Sequence, residues 1–173
     1  MNTIKRTLIL TLLSAVVGAG GPPSSGFGLL RADATAHVDE PVLIKATLFT
    51  HTNDDNKDHD TCVFAEAKTA DGQTLIAHAA NRDCSGSDNT EYNDGSDHQF
   101  DLDIDAPGIA KSMTRGFKVH MWQETHGGAG HDTWKFNVRV LLYFSGGGGN
   151  YTASKDGVVL VNNGAAVDFR NAQ

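Results

Sequence analysis

The stretch TNDDNKDHD, residues 52–60, places four aspartates in nine residues between the apolar runs VLIKATLF and CVFAEA. Asp54, Asn56 and Asp58 stand at alternate positions, a spacing with which a curling loop turns several oxygens toward one hard cation. The opening matches the D-x-[DN]-x-[DN] start of an EF-hand, but His59 stands at the glycine position and Ala65 where the bidentate acid belongs, which excludes that motif. What remains is a strand-connecting loop offering Asn53, Asp54, Asp55, Asp58 and Asp60. Carboxylates this close repel one another unless a cation neutralises them, so Ca²⁺ is the expected cofactor. Asp132, just before the apolar run that begins TWKF, is expected to complete the site from a second loop. The alternative is an acid-rich loop that is simply solvated and holds no metal.

Other chemistry is thinner. The eight histidines include no H-x-H or H-E-x-x-H pair. His120, His126 and His131 lie close along the chain, which leaves a small metal-dependent hydrolase as a second alternative. His78 and His120 fit surface or hydrogen-bonded histidines better. No G-x-S-x-G elbow occurs, and GGGG at 146–149 lacks the lysine and the helix of a phosphate loop. The protein is therefore expected not to be an enzyme. Trp122 falls on the polar side of its strand's alternation, where it could stack on a sugar or touch a lipid head group; with His126 and His131 it forms the candidate ligand-binding set. Trp134 aligns with Phe136 and Val138 and reads as core.

The elements that must position these residues have the period of strands. QFDLDID alternates apolar and acidic residues, GFKVHMWQE sets Phe117, Val119 and Met121 against Lys118, His120 and Trp122, and TWKFNVRVLLYF sets Trp134, Phe136 and Val138 against Lys135, Asn137 and Arg139. Past residue 34 no helical repeat with caps is sustained. Asp71-Gly72 marks a hairpin joining TCVFAEAKT to TLIAHAA, and SGGGGN at 145–150 marks a turn before YTASKDGVVLV. Seven or eight such strands without helices predict an all-β fold, an antiparallel β-sandwich.

The hairpin bears on the two cysteines. With its turn at Asp71-Gly72, Cys62 falls nearly opposite Asn81, and Cys84 lies just past the strand end, within reach of a disulfide. Two free buried thiols are the alternative. Lys5 and Arg6 before TLILTLLSAVVGAG, with the small-x-small ADA at 32–34, read as a signal peptide and pro-like stretch over residues 1–34, leaving a single domain over 35–173. The protein is then secreted, or held in the periplasm or cell envelope, an oxidising place that favours the disulfide. An uncleaved membrane anchor is the competing account of the same run. The first 34 residues carry three of the 14 bases and one of the 21 acids, which leaves 11 against 20 and a net charge of −9. Such a surface repels phosphate backbones, so nucleic acid is excluded as a partner.

The order of DDNKDHDTCVFAEAKTADGQT, YNDGSDHQFDLDI and FKVHMWQETHGGAGHDTWKFNVRVLLYFSGG resembles the PLAT/LH2 (lipoxygenase homology) domain over residues 40–148. The resemblance implies an eight-stranded sandwich of PLAT/C2-like form, of a kind that binds a membrane surface or a partner protein, in several cases through Ca²⁺ in its end loops. It also implies that Asp54, Asp58 and Asp60 correspond to the acidic-loop ligands and Asp132 to the ligand from the later loop. NRDCSGSD departs from the family's usual stretch, and no loop carries an apolar wedge for lipid. The expected function is thus a secreted, non-enzymatic, Ca²⁺-binding module that recognises a lipid, glycan or protein surface.

Overall fold

The computed structural model describes residues 39–84, 91–126 and 132–172, apart from the side chain of Asn81. The leader expected over residues 1–34 and His131 lie outside the described residues. Nine strands follow one another: β1 (Leu43–Asp55), β2 (Thr61–Lys68), β3 (Leu75–Arg82), β4 (Asp97–Asp101), β5 (Asp103–Ile104), β6 (Lys118–Thr125), β7 (Thr133–Phe144), β8 (Asn150–Val161) and β9 (Val167–Arg170). A single 3-10 turn at Lys111–Thr114 is the one helical element among the described residues. The strands form an antiparallel sheet in the order β4-β1-β7-β8 and a second in the order β5-β3-β2-β6-β9, the expected all-β sandwich.

Period-2 patterning decides the layers. Trp134, Phe136, Val138, Val140, Leu142 and Phe144 of β7 point inward, and meet Val63, Ala65 and Ala67 of β2 and Val119 and Met121 of β6 in one core cluster. Trp134 is fully buried, stacks on Phe136 at 3.7 Å and donates its indole N–H to Thr52 Oγ1 at 3.1 Å. The core is therefore closed by a satisfied polar group as well as by apolar contact.

Three features depart from the sequence reading. First, β1 runs on through Asp55, so Asn53, Asp54 and Asp55 belong to a strand. Thr52 pairs with Phe136 and Asp55 with Lys135, and the register shift between them places a bulge at the two residues in between. Second, QFDLDID serves both sheets. Its first half pairs with β1, Leu102 is buried and donates its N–H to Ala46 O at 2.9 Å, and its second half pairs with β3. Alternation continues across such a crossing, so the sequence pattern does not reveal it. Third, β9 adds a short ninth strand beside β6.

The Asp71-Gly72 turn forms as expected: Gly72 has φ 79° and donates its N–H to Thr69 O, while Asp71 Oδ1 accepts the Gln73 N–H at 3.0 Å. Two register shifts along β2–β3 bring Val63 opposite Arg82. The strands are thereby slipped relative to a regular ladder, and Cys84 reaches Cys62 with a Cα–Cα distance of 4.4 Å in a disulfide. At the tetraglycine turn between β7 and β8, a Cβ on Gly148 would meet Pro41 Cβ at 2.7 Å, so that any larger residue there forces Pro41 or the turn to shift.

Candidate functional site

The acidic stretch does not gather its carboxylates. On the bulged end of β1, Lys135 from the neighbouring strand lies 3.9 Å from Asp54 Oδ1 and 3.4 Å from Asp55 Oδ2. Asn53 exchanges side-chain amide hydrogen bonds of 3.4 and 3.3 Å with Asn137. Asp132 does approach the loop, but there its Oδ2 accepts the backbone N–H of Asp58 at 3.1 Å. Among the described residues, the one set of three His, Cys, Asp or Glu donors within 4.8 Å of one another is Cys62, Cys84 and His126, whose sulfurs are already joined. Asp54, Asp55, Asp58, Asp60 and Asp132 therefore do not meet at a common point, and with Asn53 they do not fit a Ca²⁺ ion, which asks for six to eight oxygens at about 2.3–2.6 Å.

Lys57 fills the middle of this end of the sandwich. Its backbone pairs with Tyr92, through N–H to O bonds of 3.2 and 2.9 Å, and its side chain turns inward and is fully buried. The Nζ donates to three backbone carbonyls: Asp58 O at 3.0 Å, Thr61 O at 2.8 Å and Asp83 O at 2.9 Å. An ammonium has three hydrogens and here each has an acceptor. The ring of Tyr92 lies 4.8 Å away as a cation–π partner, and its hydroxyl donates to the Asp83 carboxylate. Burial pushes the Lys57 pKa down to about 8, against the pull of the Asp83, Asp132, Asp58 and Asp60 charges. Burial likewise raises Asp132, whose contacts with Thr61, the Asp58 N–H and the Lys57 charge oppose the rise.

The chain around this cage is well anchored. Asp132 O accepts both the Gln123 side-chain amide at 3.1 Å and the Asn162 N–H at 3.0 Å, and Asn162 exchanges side-chain bonds with Thr61. The disulfide fixes Cys84, next to the Asp83 carbonyl. His98 stacks on Tyr92 at 3.6 Å, and its burial lowers its pKa. Ser96 Oγ lies 2.9 Å from His98 Nε2, but Ser96 gives its own proton to Asn93 O, so the imidazole acts as donor to the hydroxyl and does not activate a nucleophile.

The histidines named from the sequence separate. His120 sits on the outer face of the five-stranded sheet, 2.8 Å from Asp168 on β9; His78 stands likewise 2.7 Å from Asp105. His126 follows β6, donates its backbone N–H to Asp60 O and lies beside the disulfide. The described pair, His120 and His126, thus does not build one hydrolase centre.

That outer face carries an aromatic platform. Trp122, half-buried, is directly opposite Phe64 on β2, and their rings stack with centroids 5.1 Å apart and an interplanar angle of 10°. The indole N–H is fixed by Glu124 Oε1 at 2.8 Å. Along the strands the next rung is Glu66 opposite His120, with His78 on its other side, and then Lys68 opposite Lys118. A depression of about 290 Å³ is lined by Glu66, Lys68, Lys118, His120 and Asp168 along these rungs. One rigid apolar surface thus borders a row of hydrogen-bonding groups. A second, larger groove of about 560 Å³ crosses the opposite sheet between His51, Asp97, Asn137, Arg139 and Asp156.

No family model matches the chain, and no curated protein matches it. Among solved structures the chain is similar to the alpha toxin from Clostridium absonum, at 14% identity and a TM-score of 0.48, over 80% of this chain and 33% of the toxin's. The chain therefore spans about a third of that protein's length. The two-sheet, all-β architecture is compatible with the PLAT/LH2 resemblance.

Sequence reasoning missed Lys57, Phe64 and Glu66. Lys57 had a signal, since it is the one base inside TNDDNKDHD. Phe64, Glu66 and Lys68 alternate with the buried Val63, Ala65 and Ala67, so the outward face of β2 was also open to reading.

Proposed function

We propose that this chain is a non-catalytic recognition module, exported to an oxidising compartment, that binds neutral glycans on the outer face of its five-stranded sheet. The observation that carries the reading is the stacked Phe64–Trp122 pair, half-exposed and bordered by Glu66, His120 and His78. A pyranose presents an apolar C–H face and a rim of hydroxyls; the aromatic pair suits the first, and the carboxylate and imidazole groups suit the second. The indole is held in place by Glu124, so little side-chain entropy is lost on binding.

A lipid surface suits this face less well. The polar row offers nothing to insert, and the acidic surface repels anionic head groups. The Cys62–Cys84 bridge suits a protein that works outside the cytosol.

Affinity electrophoresis in gels containing neutral polysaccharides (xylan, mixed-linkage β-glucan, mannan, galactan), with pull-down on cellulose and chitin, tests the reading. Retardation on at least one polymer, lost in Trp122→Ala, is expected. Tryptophan fluorescence gives a second readout, because Trp134 is buried and a saccharide-induced change reports on Trp122. Binding to phosphatidylserine vesicles with no retardation on any polysaccharide would overturn the glycan assignment, and retardation unchanged by Trp122→Ala would move it to another surface.

A further inference from the structure

We infer that the ammonium group of Lys57 is the built-in cation of the acidic loop end, seated at the point where a loop metal would bind, so that this end of the sandwich takes no calcium. Three backbone carbonyls, those of Asp58 and Thr61 from the turn that leads into β2 and that of Asp83 from just past the end of β3, converge on one point at 2.8–3.0 Å. Carbonyl oxygens grouped in this way, ringed by the carboxylates of Asp58, Asp60, Asp83 and Asp132, are the hard donors that a loop calcium site uses. The point on which they converge holds Nζ. The distances suit an N–H donor and are longer than Ca²⁺–oxygen contacts.

The surroundings say why the lysine does not swing out. Its aliphatic stem is enclosed and Tyr92 covers the charge with a ring face. Were it to leave, three carbonyls would each lose a hydrogen bond, Asp58 O keeping the Thr61 N–H as a donor, and the buried Asp132 would lose a compensating charge. The remaining loop acids, Asp54 and Asp55, face Lys135. A metal ion is therefore excluded from that point sterically, by the ammonium that already fills it. The inference is independent of the glycan reading.

Thermal melts of the full chain in EDTA, 5 mM CaCl₂ and 5 mM MgCl₂ test it, together with Lys57→Met, which keeps the stem and removes the charge. The wild type is expected to melt at the same temperature in all three solutions, and Lys57→Met to lose roughly 10 °C or more. A wild-type melting point that rises with calcium and falls with EDTA would overturn the inference, as would a Lys57→Met protein as stable as the wild type. Should that variant fail to fold, the wild type still decides. In ¹⁵N-lysine-labelled protein at pH 6, an Nζ signal with slowly exchanging protons, assigned by its contacts to Tyr92, is expected for a caged ammonium. Lysine Nζ protons that all exchange at the rate of free lysine would mean that the cage does not exist in solution.

Discussion

Breaking the Cys62–Cys84 bridge should cost more than its loop entropy. The two cysteines are 22 residues apart. Closing a loop of that length removes about 11 cal/mol/K from the unfolded chain, or about 3.4 kcal/mol at 25 °C. In the folded state Asp83, the residue before Cys84, holds a left-handed φ of 53° and gives its carbonyl to Lys57. Freeing Cys84 lets that turn relax toward ordinary backbone angles, which withdraws one of the three acceptors of a buried ammonium. Urea unfolding of Cys62→Ala/Cys84→Ala should therefore show a loss of about 3.5–5 kcal/mol, a midpoint lowered by about 2 M at a slope of about 2 kcal/mol/M. Adding Lys57→Met to that double variant should cost less than it does in the wild type, because part of its hydrogen-bond cage is already gone. A loss below about 1 kcal/mol, or penalties that add to within about 0.5 kcal/mol, would refute the idea that the bridge clamps the lysine cage.

Other outcomes follow from single contacts. Trp122→Ala should lower stability by only about 1 kcal/mol, the scale of one exposed aromatic pair, as measured by urea unfolding, while abolishing saccharide retardation. Gly148→Ala should cost about 1–3 kcal/mol by thermal melting, since its methyl group would press against the Pro41 ring. Thr52→Val leaves the buried indole N–H of Trp134 without an acceptor and should cost about 1–3 kcal/mol in the same assay. His98 has a folded pKa below its unfolded value of about 6.5, so the unfolded chain takes up the proton first and this residue's contribution to stability falls as pH drops through about 6.5. Stability measured between pH 7.5 and 5 should decline less steeply in His98→Gln than in the wild type.

Much of the sandwich was legible in the sequence because its information is local. Alternation at period two fixes which residues of β6 and β7 face the core, so Met121 and Trp134 were assignable without coordinates, as were the Asp71-Gly72 turn and the pairing of the two cysteines. The same local rule explains the surface roles of His78 and His120, which occupy outward positions and meet Asp105, just past β5, and Asp168 of β9. Where the rule stops, the reading stopped with it. A bulge in β1, two slips in β3 and the crossing at Leu102 leave the alternation of residue types intact while changing what each residue meets.

The acidic stretch marks that boundary most clearly. Composition and spacing give TNDDNKDHD a reason to hold a cation, because four carboxylates within nine residues repel one another, with a solvated loop as the alternative. They leave open which cation it is. Lys57 answers the need through carbonyls of Asp58, Thr61 and Asp83 and through the charge of Asp132, partners that lie from one to 75 positions away along the chain. A backbone carbonyl carries no residue identity, so no pattern of letters announces an acceptor. Only the folded chain, with β2 and β3 slipped and bridged at Cys62–Cys84, brings the Asp83 carbonyl to the two local ones and turns a lysine inward to meet all three.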